Sequence, residues 1–116
     1  MHEYSLVEAI LGRIEEEVAR QGATAVRRVE LRVGELAGVE PDLLADAWEI
    51  VRAGSCCAGA ALVVHPSPAR WRCGDCRAPI DRSAPLQCPC GGAAELEAGG
   101  ELLLERVELK LPRAMA

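Results

Sequence analysis

Four cysteines in the C-terminal half of the chain stand in two close pairs. Cys73 and Cys76 form a C-x-x-C pair, and Cys88 and Cys90 form a C-x-C pair after eleven intervening residues. Two such pairs on facing ribbons can place four thiolates tetrahedrally, which is the closed shell of a structural zinc site. The spacing therefore predicts zinc. Iron in the same shell, a redox-active C-x-x-C pair and unliganded thiols are the alternatives that the spacing leaves open.

The first residues, Met1-His2-Glu3, offer a second set of metal donors. The α-amine and the imidazole are neutral nitrogen donors around neutral pH, and the amide nitrogens of His2 and Glu3 lie between and beside them. A divalent metal that favours a square plane can displace the amide protons, so these nitrogens suit Ni(II) or Cu(II). The Glu3 carboxylate could add a ligand from the side. A solvated terminal histidine without a metal is the alternative.

The other cysteines and the second histidine are predicted to have structural roles. Cys56 and Cys57 adjoin the apolar run AGAALVV, and we expect them to behave as small buried hydrophobic residues. His65 precedes Pro66 near the end of a predicted strand. We therefore expect His65 at a surface or hydrogen-bonded position, outside the zinc shell.

Hydrophobic periodicity predicts the elements that position these residues. The segment SLVEAILGRIEEEVARQ has apolar residues at helical spacing, and Ser5 and Glu8 have the spacing of a capping box. We expect this helix to begin near Ser5, to end before Gly22 and to leave Met1 to Tyr4 outside it. The other predicted elements are a strand over 26–34, a helix that Pro41 opens and Gly54 ends, a strand over 61–66 and a strand over 102–111.

Residues 66–92 differ in composition from the rest of the chain. They hold five of the seven prolines and few large apolar side chains, so they lack a core that could offset the entropy of ordering them. Metal binding is expected to supply that free energy. The expected fold is α+β, with two helices packed on a short three-stranded sheet and a small inserted zinc-ribbon-like domain. The expected boundaries are 1–66 and 98–116 for the α+β domain and 67–97 for the four-cysteine insert.

Charge and composition narrow the classes of function. The 116-residue chain has a formal net charge of -5 and only 3% aromatic residues, which argues against a basic, aromatic surface for nucleic acid. Its longest apolar run is shorter than the ~20 residues of a membrane span, and no secretory signal is evident, so a cytoplasmic location is expected. With only two histidines in the chain, no set of a catalytic base, a nucleophile and an orienting group can be identified, which argues against an enzyme. A zinc-ribbon module that binds protein or nucleic acid is the alternative function.

Three features together give the chain a family resemblance. They are the start Met1-His2-Glu3, the segment VGEL followed by Pro41 and Leu44, and the four-cysteine insert. In this combination the chain resembles the HypA/HybF family of hydrogenase nickel-incorporation proteins over essentially its whole length. The sequence departs from the family at CPCG, where the family pattern resembles C-P-x-C-G.

The resemblance implies a small metallochaperone, not an enzyme, with a nickel-binding domain and a zinc domain. It implies delivery of Ni(II) to the large subunit of a [NiFe] hydrogenase together with a nickel-handling GTPase, and a homodimer is compatible with it. The implied nickel ligands are the Met1 amine, the His2 imidazole and the backbone nitrogens of His2 and Glu3, with the Glu3 side chain and Glu40 as further candidates. The implied zinc ligands are Cys73, Cys76, Cys88 and Cys90.

Overall fold

The computed structural model of the protein describes residues 2–81 and 86–113. Within these ranges the helices are α1 (His2–Gln21) and α2 (Pro41–Val51), and neither is long and apolar enough to cross a membrane. The strands of the same ranges are β1 (Ala25–Gly34), β2 (Ala61–Ser67), β3 (Arg70–Cys73), β4 (Pro79–Ile80), β5 (Ala94–Ala98) and β6 (Leu102–Lys110).

The strands form two three-stranded sheets. The first has the order β2-β1-β6, so β1 lies in its centre. The second has the order β4-β3-β5, and β3 pairs antiparallel with both neighbours, with Trp71 opposite Ile80 on one side and Leu96 on the other. Two helices, one three-stranded sheet of long strands and a small second sheet confirm the predicted α+β class.

The chain divides into two compact units. The first takes in the chain up to Leu31, the segment Val39–His65 and the chain from Leu103 onward, and the second comprises Arg32–Gly38 and Pro66–Leu102. Both helices therefore belong to the first unit. The second sheet belongs to the second unit.

Aliphatic side chains dominate the core of the first unit. α1 packs against α2, and the buried apolar residues of both helices recur at helical spacing. On β1, the alternate residues Val29 and Leu31 are buried, which is the period of a strand with one face on the core. The buried Trp48 donates its indole N–H to the Ala60 carbonyl at 3.3 Å. The buried apolar helical residues are Val7, Leu11 and Ile14 of α1 and Leu44, Ala47 and Trp48 of α2.

The predicted start of the first helix is wrong. α1 begins at His2, so Ser5 lies within its first turn and does not cap it. The Glu3 side chain is buried and accepts a hydrogen bond from the backbone N–H of Glu40, which precedes α2. This contact holds the first turn against a distant part of the chain, which a local capping pattern cannot reveal. The other predicted elements are found at their predicted places in the chain.

Candidate metal centres

The four cysteines of the two pairs come together in the second unit. Their Sγ atoms all lie within 4.8 Å of one another. The Sγ atoms of Cys73 and Cys90 are 3.4 Å apart, and those of Cys76 and Cys88 are 3.5 Å apart. Zn–S bonds of ~2.3 Å in a tetrahedron require S–S separations of ~3.8 Å, so the four sulfurs fit around one zinc ion. Among the described residues, these four cysteines are the group of three or more His, Cys, Asp or Glu side chains whose ligand atoms lie close enough together to hold one metal ion.

The first pair is held by the turn that follows β3. The backbone N–H groups of Asp75 and Cys76 both donate to the Cys73 Sγ at 3.4 Å. The turn is closed by two backbone bonds, from the Arg77 N–H to the Cys73 carbonyl at 3.0 Å and from the Cys73 N–H to the Ala78 carbonyl at 2.8 Å. The N–H of Cys76, together with that of Asp75, lowers the pKa of Cys73 to about 6. A lowered pKa favours the thiolate, which is the form that binds zinc.

The shorter C-x-C pair reaches the same cluster through a tight turn. The Gly91 N–H donates to the Cys88 carbonyl at 2.9 Å, and the Cys88 N–H donates to the Gly92 carbonyl at 3.2 Å. Gly91 has a φ of 92°, a left-handed conformation that glycine adopts without a steric penalty. Because glycine permits this turn, the shortened pair still places the sulfurs of Cys88 and Cys90 in the cluster.

Gly92 lies directly against the cysteine cluster, which its place in the sequence does not indicate. A methyl group here would overlap the Cys73 Sγ and lie 2.9 Å from a carboxylate oxygen of Asp75. Because two backbone donors hold the Cys73 sulfur, we expect Gly92→Ala to weaken zinc binding by about 10–100-fold. Competition with a chromophoric zinc chelator measures this change. Gly59→Ala is the control, since an added methyl group there meets no atom within 4 Å, and equal zinc affinities for the two variants would contradict the prediction.

The N-terminal donors lie at the start of α1. The His2 side chain is 59% exposed and that of Glu3 is 11% exposed, and His2 Nδ1 is 3.8 Å from Glu3 Oε2. The first amide N–H groups of a helix have no acceptor within that helix. The amides of His2 and Glu3 therefore lie outside the backbone hydrogen-bond ladder of α1. Met1, the third predicted contributor to this site, lies outside the described residues.

The Glu3 carboxylate is bonded to the protein backbone. Its Oε2 accepts the Glu40 N–H at 3.2 Å, and Glu40 is the N-cap residue of α2. The N–H of Glu40, and after it the N–H of Glu3 itself, hold the pKa of the Glu3 carboxyl below its usual range. Glu3 thus connects the His2 end of α1 to the start of α2. The sequence shows these two glutamates only as candidate ligands, because nothing in it brings Glu3 and the Glu40 amide together.

The remaining cysteines and the second histidine have structural surroundings. Cys57 is fully buried, and burial raises the pKa of its thiol to about 12. Cys56 is half-buried, with its Sγ 4.0 Å from that of Cys57. His65 Nε2 lies 2.7 Å from Glu30 Oε1 in a hydrogen bond. The expected burial is confirmed for Cys57 and met only in part by Cys56. His65 takes a hydrogen-bonded position, which agrees with the expectation of a surface or hydrogen-bonded residue.

Comparison with known proteins identifies relatives along nearly the whole chain. A family model described as hydrogenase/urease nickel incorporation, metallochaperone, hypA matches residues 1–109. The hydrogenase maturation factor HypA of Streptomyces avermitilis is 43% identical over 112 residues, which cover 92% of this chain and 86% of that protein. The hydrogenase maturation factor HypA of Solidesulfovibrio magneticus is 36% identical, with 95% of this chain and 100% of that protein covered.

Solved structures show the same relationship in three dimensions. The solution structure of a HypA protein matches with a TM-score of 0.77 and 26% identity, covering 94% of this chain and 96% of that chain. The solution structure of the Ni metallochaperone HypA from Helicobacter pylori matches with a TM-score of 0.71 and 25% identity. This match covers 95% of this chain and 98% of that chain. The chain therefore belongs to the HypA family of hydrogenase nickel-incorporation metallochaperones.

Proposed function

We propose that the chain binds Ni(II) through its first three residues and delivers it for the maturation of a [NiFe] hydrogenase. The observation that carries this proposal is the exposed His2 imidazole at the start of α1, beside amide groups that have no helical acceptor. The proposed ligands are the Met1 amine, the His2 imidazole and the backbone nitrogens of His2 and Glu3. Four nitrogens of this kind suit the square plane that Ni(II) adopts.

The Glu3 side chain has a positioning role in this proposal. Its carboxylate is bonded to the Glu40 N–H, and the same oxygen lies 3.8 Å from the His2 imidazole. This bond holds the first turn of α1 in place. Fewer residues therefore lose conformational freedom when the metal binds. The negative charge beside the site also offsets part of the charge of Ni(II). Glu40 contributes through its backbone N–H.

We further propose that Cys73, Cys76, Cys88 and Cys90 hold a structural Zn(II). The sulfur separations of 3.4 and 3.5 Å and the two N–H donors on Cys73 support this assignment. Bound zinc would cross-link the two turns, and four thiolates leave no open position for a water or a substrate. We assign the zinc domain to residues 67–97 and the nickel-binding domain to residues 1–66 and 98–116.

The proposed activity is metal transfer without catalysis. Protons compete with the metal for the amine, the amides and the imidazole, so acid promotes release. The exposure of His2 leaves room for a ligand from the recipient to approach the metal. We propose a nickel-handling GTPase and the large subunit of a [NiFe] hydrogenase as partners. We place the exchange in the cytoplasm, where cysteines stay reduced, since the six cysteines of this chain form no disulfide in the structure.

Substitution of the two histidines tests the nickel site. His2→Ala removes a ligand, and we expect the Kd for Ni(II) to rise by about 100-fold or more. His65→Ala is the matched control, because it removes an imidazole that contacts Glu30, and its Kd should stay within about twofold of the wild-type value. Isothermal titration calorimetry of zinc-loaded protein in a non-coordinating buffer measures both. An unchanged Kd in His2→Ala, or equal losses in the two variants, would exclude the terminal site.

A further inference from the structure

The second sheet carries a row of apolar side chains on one of its faces. Trp71 of β3 lies opposite Ile80 of β4 and Leu96 of β5, and directly opposed residues of antiparallel strands share a face. None of the three is buried, since Leu96 is 40% exposed and the other two are half-buried. A surface tryptophan flanked by aliphatic side chains is typical of a contact between proteins.

The second unit does not use this row as its core. The fully buried side chain of β3 is that of Cys73, which belongs to the cysteine cluster, and Cys88 of the same cluster is also buried. Zinc bound to these cysteines would supply the folding free energy that a small apolar core cannot. The apolar row is therefore available for binding.

A small depression lies beside Trp71 and Ile80. Its volume is about 180 Å³, and Ala69 and Pro79 complete its apolar lining. Pockets that hold whole small molecules usually have volumes of about 300 Å³ or more, so this depression has room for one side chain. A side chain of a partner protein that fills such a pocket can dominate the binding free energy of an interface.

Two charged residues indicate what flanks that side chain. Arg70 and Glu97 also line the depression, and both are exposed. Among the residues that the structure describes, neither of these side chains has an ion pair or a hydrogen bond. The register between β3 and β5 shifts beside Trp71 and leaves Glu97 without an opposite residue, which is a β-bulge. Bulges redirect side chains, and Glu97 is thereby placed beside the apolar lining.

We propose that this depression binds a segment of a partner protein in which one apolar side chain stands between an acidic and a basic residue. The apolar side chain packs against Trp71 and Ile80. The acidic residue pairs with Arg70 and the basic residue pairs with Glu97, because these two charges are complementary to those of the segment. The proposal is independent of nickel binding, since the second sheet carries none of the proposed nickel ligands.

Peptide display identifies such a segment directly. A library of random dodecapeptides is selected on the immobilised, zinc-loaded full chain, and we expect the enriched peptides to share an apolar residue between an acid and a base. Fluorescence anisotropy should give Trp71→Ala a Kd for these peptides at least about tenfold above the wild-type value. Leu43→Ala is the matched control, because Leu43 is 48% exposed on α2 of the first unit. Its Kd should stay within about twofold of the wild-type value.

Charge reversal is a second test that leaves the tryptophan in place. Arg70→Glu should raise the Kd of an enriched peptide by about threefold or more, and a peptide with lysine in place of its acid should bind this variant better than the wild type. Zinc content and circular dichroism confirm that each variant is folded.

Three outcomes would overturn the proposal. They are a selection that enriches no such peptide, equal Kd values for Trp71→Ala and Leu43→Ala, and a Kd that Arg70→Glu leaves unchanged. Sedimentation velocity without peptide provides a further check. If Trp71→Ala altered the self-association of the chain, the occupant of the depression would be a second copy, and the assignment to a partner protein would be wrong.

Discussion

A four-residue extension ahead of Met1 is expected to raise the Kd for Ni(II) by at least about 100-fold, or about 2.7 kcal/mol. In a protein that begins Gly-Ser-Gly-Ser-Met, the nitrogen of Met1 becomes an amide, and the new amine is too far along the chain to share a plane with the His2 imidazole. The extension alters no side chain of the protein. It therefore tests the Met1 amine separately from the imidazole that His2→Ala removes.

Calorimetry gives the affinity of the extended protein, and the visible absorption of square-planar Ni(II) reports the geometry. The same four residues placed after Ala116 are the control, and they should leave both readouts unchanged. A one-residue extension does not serve the purpose, since it puts the histidine third in the chain, where an amine, two amides and an imidazole again form one plane. Wild-type affinity and absorption in the four-residue variant would remove Met1 from the ligand set.

Loss of zinc is expected to unfold the second unit while the helices of the first unit stay folded. The apparent binding free energy of a structural zinc is about 10–16 kcal/mol, which is as large as the whole stability of an ordinary domain. The β3-β4-β5 sheet is small, and Cys73 at the end of β3 is fully buried. In Cys73→Ser we expect amides of this sheet to lose about 100-fold or more of their hydrogen-exchange protection. Those of α1 and α2 should keep theirs.

Hydrogen exchange with mass spectrometry resolves the two units, and metal analysis gives the zinc content of each variant. Cys56→Ser is the matched control, because Cys56 is half-buried and its sulfur contacts that of Cys57. This variant should retain one zinc per chain and wild-type protection in β3. If Cys73→Ser retained zinc and protection to the same extent, the four-cysteine assignment would be wrong.

The spacing of apolar residues within one segment predicts the features that depend on that segment alone. The apolar residues of α2 repeat at helical spacing because one side of the helix is buried, so Leu44, Ala47 and Trp48 could be identified from their spacing. The same holds for Val29 and Leu31 on β1. The α+β class followed from the order of these elements.

Features that depend on contacts between distant segments could not be predicted in this way. The capping pattern predicts a helix start near Ser5 because it uses only local residues, whereas the bond from the Glu40 N–H to Glu3 joins residues far apart in the chain. The contact between Gly92 and the Cys73 sulfur likewise requires the folded turns. From the sequence alone, a glycine at position 92 indicates only that the backbone there is conformationally free. In the structure its decisive property is the absence of a side chain.

The start of α1 at His2 places the proposed nickel site at the positive end of a 20-residue helix. The aligned peptide dipoles give that end about half a positive elementary charge, which repels a dication. A metal that displaces two amide protons forms a complex whose amidate charges balance its own, so the dipole no longer opposes binding. A dication that leaves the amides protonated, such as Mg(II), keeps its full charge there. The helix thus selects for metals that can deprotonate an amide, independently of which side chains surround them.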